Sequence, residues 1–122
     1  MAHKKILFID DDTDLVTLMQ IRLAQEPFEV YTAHNGYHGL ALARTIMPDI
    51  IVSDIVMPEA DGYTFLRELK SIEDMSSIPV IVASAREILR DTIMLEGADR
   101  FLSKPYYYEE LRTSIQELLL AG

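Results

Sequence analysis

The chain contains no cysteine. Disulfides and thiolate metal sites are therefore excluded. No apolar stretch of its 122 residues approaches the roughly 20 that a membrane-crossing helix needs. Basic residues are few: eleven Lys and Arg stand against twenty Asp and Glu, a formal charge of −9. That balance disfavours direct contact with nucleic acid or an anionic lipid surface, where cations must neutralise phosphates. Histidines are also scarce. His3, His34 and His38 are scattered, and each reads as an isolated surface residue. There is no internal repeat, low-complexity tract or long linker. The N-terminal Met1-Ala2-His3-Lys4-Lys5 runs straight into a strand-like segment and does not read as a secretory leader. A cytoplasmic protein is the expectation.

About half of the residues are apolar, 49 %, enough for one core in one domain spanning 1–122. Short apolar runs alternate with helix-periodic stretches from end to end, the pattern of repeated βα units around a parallel sheet. Strands are expected at Lys4–Asp10, Phe28–Ala33, Asp49–Ser53, Val80–Ala83 and Asp99–Ser103. The first helix should start near Asp14, capped by Thr13, with Leu15, Leu18, Met19, Arg22 (stem only) and Leu23 on its inner stripe, and should end at Pro27. Asn35-Gly36 reads as a loop into helix two (Leu40, Ala41, Ala43, Arg44, Met47), which Pro48 closes. Helices at Tyr63–Ile72, Glu87–Glu96 and Tyr107–Leu120 follow, with Gly97 as a C-terminal stop. Five βα units with right-handed crossovers give a doubly wound, flavodoxin-like α/β fold. The order 2-1-3-4-5 fits five strands and sets strands one and three side by side at the switch point.

The chemistry gathers where the apolar runs stop. Run one ends in Asp10-Asp11-Asp12, run three reaches Asp54, run four Ser84 and run five Lys104. Ligands bind beyond the carboxyl ends of strands in such sheets. Carboxylates crowded together repel, and a hard cation with oxygen ligands relieves that repulsion; Mg²⁺ suits one or two carboxylates plus a phosphate. Asp12 and Asp14 have a simpler reading as helix-capping and N-terminal acids. Asp54 reads as a nucleophile for phosphorus, with Lys104 neutralising charge and Ser84 donating a hydroxyl.

With these residues in order, the chain resembles the receiver domain of bacterial two-component response regulators, of the chemotaxis-regulator type. The resemblance rests on Ile6-Leu7-Phe8-Ile9-Asp10-Asp11-Asp12, Ser53-Asp54-Ile55-Val56-Met57-Pro58-Glu59-Ala60-Asp61-Gly62, Pro79-Val80-Ile81-Val82-Ala83-Ser84-Ala85 and Gly97-Ala98-Asp99-Arg100-Phe101-Leu102-Ser103-Lys104-Pro105. It implies that Asp54 is the phosphoacceptor. It implies Mg²⁺ on Asp11, Asp54 and the Val56 carbonyl, with Asp10 acting through water. Lys104 would pair with the phosphoryl group or with Asp54, Ser84 and Phe101 would form the switch, and Lys104-Pro105 would be cis. The phosphodonor would be a histidine kinase or a histidine phosphotransfer protein. The output would be a downstream protein or a fused output domain, since the chain reads as a stand-alone receiver or as one cut from a longer protein. The switching face would be helix four, strand five and helix five.

In the family this chain resembles, polar side chains two residues past the acceptor and two past the switch hydroxyl help set phosphoryl loss; here those places hold Val56, which is apolar, and Arg86. Valine cannot orient a water, so slow self-dephosphorylation is expected. Arg100 and Glu109 reverse the acid and arginine expected of the winged-helix subfamily, which argues against its dimer mode. Tyr106-Tyr107-Tyr108 reads as a helix start with partly buried rings, or as a partner-binding patch. A competing reading is a small haloacid-dehalogenase-like phosphatase with Asp10 as nucleophile and Asp12 as acid/base. Asp14 stands where that motif wants threonine or valine, and the chain leaves little room for a substrate cap. A third reading is a receiver-like adaptor that is never phosphorylated.

Overall fold

In the computed structural model, residues 3–54 and 62–121 are described. Five parallel strands, β1 (Lys4–Ile9), β2 (Phe28–Ala33), β3 (Ile50–Ser53), β4 (Val80–Ser84) and β5 (Arg100–Ser103), stand in the order β2-β1-β3-β4-β5. The helices are α1 (Thr13–Ala24), α2 (Gly36–Ile46), α3 (Gly62–Ser71), α4 (Arg90–Leu95) and α5 (Tyr108–Ala121). This is the doubly wound arrangement that the sequence pattern leads one to expect.

Alternation along the strands divides the core in two. Leu7, Ile9, Ile51, Val80, Val82 and Phe101 face α2, α3 and α4, where Ala43, Phe65, Leu66, Leu69 and Ile93 meet them. Ile6, Phe8, Ile50, Val52, Ile81 and Leu102 face α1 and α5, against Val16, Met19, Leu23, Leu111 and Ile115. A strand covered on both faces must be apolar at every position, hence the continuous runs. Two aspartates fix register at the opposite edge from the candidate site. Asp49 Oδ2 accepts the Lys5 N–H at 2.7 Å, and Asp99 Oδ2 accepts the Val80 N–H at 2.8 Å.

Several local expectations change. Asp12, not Thr13, caps α1, its carboxylate accepting the Leu15 N–H at 3.1 Å. The buried stripe of α1 is Val16, Met19 and Leu23, while Leu18 is exposed. Helix α1 stops at Ala24, three residues before Pro27. Helix α2 starts at Gly36, capped by the Asn35 side chain, and buries Gly36, Gly39 and Ala43; Ala41, Arg44 and Met47 are exposed. Helix four begins as a 3₁₀ turn, Glu87–Leu89, and has only six α-helical residues after it. Gly97, at φ +114°, lies just past its end in a conformation that favours glycine. Positions 55–61, between β3 and α3 in the sequence, lie outside the described residues.

Gly39 lets α2 lie close on β1. A Cβ there would stand 2.5 Å from Ile9 Cδ1 and 3.1 Å from Ile9 Cγ1. Alanine gains up to about 1 kcal/mol in helix propensity over glycine, against a similar cost for displacing the Ile9 tip. We expect Gly39→Ala to change stability little. Gly39→Val should lose on the order of 1–3 kcal/mol, because a branched side chain cannot avoid Ile9. Urea denaturation checks this, and a valine variant as stable as the alanine one would refute the close approach.

Candidate functional site

The polar residues at the strand ends are held by an extension of the sheet ladder. The Asp10 N–H donates to the Ala33 carbonyl at 3.1 Å, the Asp54 N–H to Ile9 at 3.1 Å and the Lys104 N–H to Ser84 at 2.9 Å. Each side chain thus leaves the sheet from a backbone tied to a neighbouring strand. The register aligns Ile9 with Ser53 and Ser84 with Ser103, so the residues just beyond converge at one edge.

There, carboxylate oxygens of Asp10, Asp11 and Asp54 lie within 4.8 Å of one another. Asp10 and Asp54 are buried, and Asp11 is exposed. Lys104 Nζ donates to Asp10 Oδ2 at 2.6 Å and to Asp54 Oδ2 at 2.7 Å. Asp10 Oδ1 also accepts the Asp12 N–H at 3.0 Å. Burial pushes the Asp10 carboxyl up, and the Lys104 and Asp12 hydrogen bonds offset this only in part. Burial alone would push the Lys104 ammonium down, but its bonds to Asp10 and Asp54 hold it above its usual value. These residues, with Asp12, Ser84, Ala85 and Arg86, line a cleft of about 310 Å³. The donor set is all oxygen and anionic, with an exposed carboxylate at the rim, and so fits a hard divalent cation.

Ser84 is fully buried, and its Oγ accepts the Arg86 N–H at 3.0 Å, leaving its O–H as a donor. Phe101 sits on the α4 side of the sheet, buried, with the Arg90 guanidinium 4.7 Å from its ring centre. The Lys104-Pro105 bond is cis. Val56 lies outside the described residues. Asp12 spends its carboxylate on the α1 cap, as its simpler reading requires.

A family model described as the response regulator receiver domain matches residues 6–116. The chain belongs to this family. The receiver domain is 36 % identical over 117 residues to the DNA-binding dual master transcriptional regulator RpaA of Synechocystis, covering 94 % of this chain and 48 % of that protein. It is 34 % identical over 119 residues to the alkaline phosphatase synthesis transcriptional regulatory protein PhoP of Bacillus subtilis, covering 96 % and 49 %. The chain therefore spans about half the length of these relatives. Its structure superposes, with a TM-score of 0.89 and 25 % identity, on the receiver domain of a sensor histidine kinase from Pseudomonas aeruginosa PAO1, covering 97 % of this chain and 98 % of that one. That structure has a magnesium ion coordinated in its active-site cleft. Receivers of this family work with histidine kinases in two-component systems, and the Asp10, Asp11 and Asp54 cluster fits the phosphorylation site. Among the described residues no helix is long and apolar enough to cross a membrane.

Sequence reasoning had not linked Lys104 to Asp10, nor Arg90 to Phe101. Neither pair carries a local signal, since 94 and 11 positions respectively separate the partners. The tyrosines divide three ways. Tyr107 is exposed, Tyr108 stacks under Arg22 at 4.3 Å, and Tyr106 is half-buried against the α1–α5 core. The Tyr106 hydroxyl is buried with no hydrogen-bond partner among the described residues. Burial pushes its pKa up to about 12.

Both Lys104 and Tyr106 thus hold their protons more tightly when folded. Stability from such groups is complete below the unfolded pKa and is lost as pH rises through the folded one. We expect the unfolding free energy to fall as pH rises from about 10 toward 12. Tyr106→Phe should remove the tyrosine's share of that fall. At neutral pH it should be stabilised by about 1 kcal/mol, because an orphaned buried hydroxyl is gone. Denaturation at several alkaline pH values checks this; an unchanged slope in the variant would contradict it.

Proposed function

We propose that this chain takes a phosphoryl group on Asp54 from a phosphohistidine of a histidine kinase or a histidine phosphotransfer protein. The observation that carries the reading is the Lys104 ammonium bridging Asp54 and Asp10 beside Asp11 at the sheet's carboxyl edge. An Asp54 carboxylate oxygen attacks phosphorus in line, the phosphorus–nitrogen bond breaks, and its electron pair stays on the departing imidazole. Asp11, Asp54 and the Val56 carbonyl would hold Mg²⁺, with Asp10 acting through water; the ion would offset the crowded negative charge. Lys104 then exchanges its bond to Asp54 for one to a phosphoryl oxygen. Ser84, which has an O–H to give, moves toward the same group.

That displacement is the start of the switch. Phe101, behind Ser84 on the α4 face, follows the space that Ser84 leaves, and α4, β5 and α5 change the surface they present. The output is then a downstream protein or an output domain on the same polypeptide, as in the transcriptional regulators this receiver resembles. Residues 1–122 act as one receiver unit in the cytoplasm. The net charge of −9 argues against direct contact between this unit and nucleic acid.

Incubation with acetyl phosphate and Mg²⁺ should add the mass of one phosphoryl group to the native chain and none to Asp54→Ala. Labelling at Asp10 instead would overturn the reading in favour of phosphatase chemistry. Intact mass followed by peptide mapping decides it.

The phosphoryl group should also persist. Val56, two residues past Asp54, has no polar group with which to orient an attacking water. We expect loss over minutes or longer, measured by mass after removal of the donor with Mg²⁺ still present. A lifetime of seconds would count against this.

A further inference from the structure

We propose that Ser53 is a positioning residue for the phosphoacceptor, its buried hydroxyl fixing the backbone from which the Asp54 carboxylate projects. The inference rests on Asp54 being the acceptor and adds a second requirement to that reading.

Every residue of β3 is buried, and the first three are Ile50, Ile51 and Val52. Ser53 is the fourth, at 2 % exposure. Its register neighbours are Ile9 on β1 and Val82 on β4. Alternation puts it on the same sheet face as Ile51, under α2, α3 and α4. An apolar residue would suit this slot. A hydroxyl there costs free energy unless it is hydrogen-bonded.

The bond it makes is to the acceptor. Ser53 Oγ donates to the Asp54 carbonyl oxygen at 2.9 Å. The Asp54 N–H donates to the Ile9 carbonyl at 3.1 Å. The peptide groups on either side of the Asp54 Cα are therefore both held, one by β1 and one by Ser53. With φ and ψ fixed, the direction of the Cα–Cβ bond is fixed. Only the side-chain torsions remain, and Lys104 holds the carboxylate they carry.

In-line transfer depends on this direction. Misplacing an attacking atom by a fraction of a bond length reduces the population of productive geometries. Asp54 stands one residue past the end of β3, where the ladder no longer holds both sides of the chain. Ser53 supplies the second anchor at that point. It touches no reacting atom, so its effect should appear in the rate of transfer and not in affinity.

The test compares Ser53→Thr with Ser53→Val, two side chains of nearly the same shape that differ in the hydroxyl, alongside Ser53→Ala. Phosphorylation of the full chain by acetyl phosphate is followed by mass, with Mg²⁺ saturating. The limiting rate should fall about tenfold in the valine and alanine variants, the scale of one lost buried hydrogen bond. The threonine variant should stay within about twofold of native on the same scale. The acetyl phosphate concentration for half-maximal rate should not move in any of them. The carbonyl carbon resonance of Asp54 should shift in the valine and alanine variants and return in threonine, a readout independent of transfer. Equal rates in threonine and valine variants of matched thermal stability would overturn the proposal. So would a shift in half-maximal concentration with no change in limiting rate. Failure of the native chain to be labelled on Asp54 overturns the acceptor reading itself, a result separable from either of these.

Discussion

One ammonium group holds the functional edge of this domain together. Asp10 and Asp54 project from adjacent strands as buried residues at the floor of the cleft, and two carboxylates so placed repel. Lys104, arriving from the far edge of the sheet, puts its nitrogen between them. The pairing is buried enough that removing the lysine would leave two uncompensated anions, a far larger penalty than loss of a surface ion pair. The same shared contact makes the site responsive. A group that brings its own negative charge competes for the lysine, and a cation competes with it.

The sheet makes this meeting possible. Parallel strands in the order β2-β1-β3-β4-β5 bring every carboxyl end to one side, and hydrogen bonds at Asp10, Asp54 and Lys104 continue the ladder past the strands. The site residues are therefore extensions of the most rigid part of the molecule. At the other edge Asp49 and Asp99 perform a purely structural task, bonding to the backbone of the neighbouring strand. Aspartate at one end of a strand fixes register; at the other it meets ligands.

Most of the architecture was legible because doubly covered strands must be apolar throughout, which made each polar residue at the end of a run conspicuous. Asp10, Asp54, Ser84 and Lys104 all announced themselves in this way. What could not be read was which of several suitable residues would take a given place. Asp12 and Thr13 are both good caps, and the path of the chain off β1 decided for Asp12. Leu18 and Val16 fit different helical stripes, and packing against β1 and α5 chose Val16. Asp10 and Asp11 are adjacent in one acidic run, but where the chain leaves β1 the first is buried and the second exposed. The short helix α4 read as longer because a 3₁₀ turn carries much the same residue pattern as the α-helix it leads into. Long-range partners such as Lys104 with Asp10 leave no trace in local periodicity.

The brevity of α4 has a mechanical consequence. Six residues make fewer than two turns, and Ile93 is the buried one among them. With Leu89 partly buried beside it and Arg90 against the Phe101 ring, few contacts hold the segment, and such segments are the ones that open at low free-energy cost. Stiffness is thus concentrated around the charged cleft, whose backbone the sheet holds at Asp10, Asp54 and Lys104.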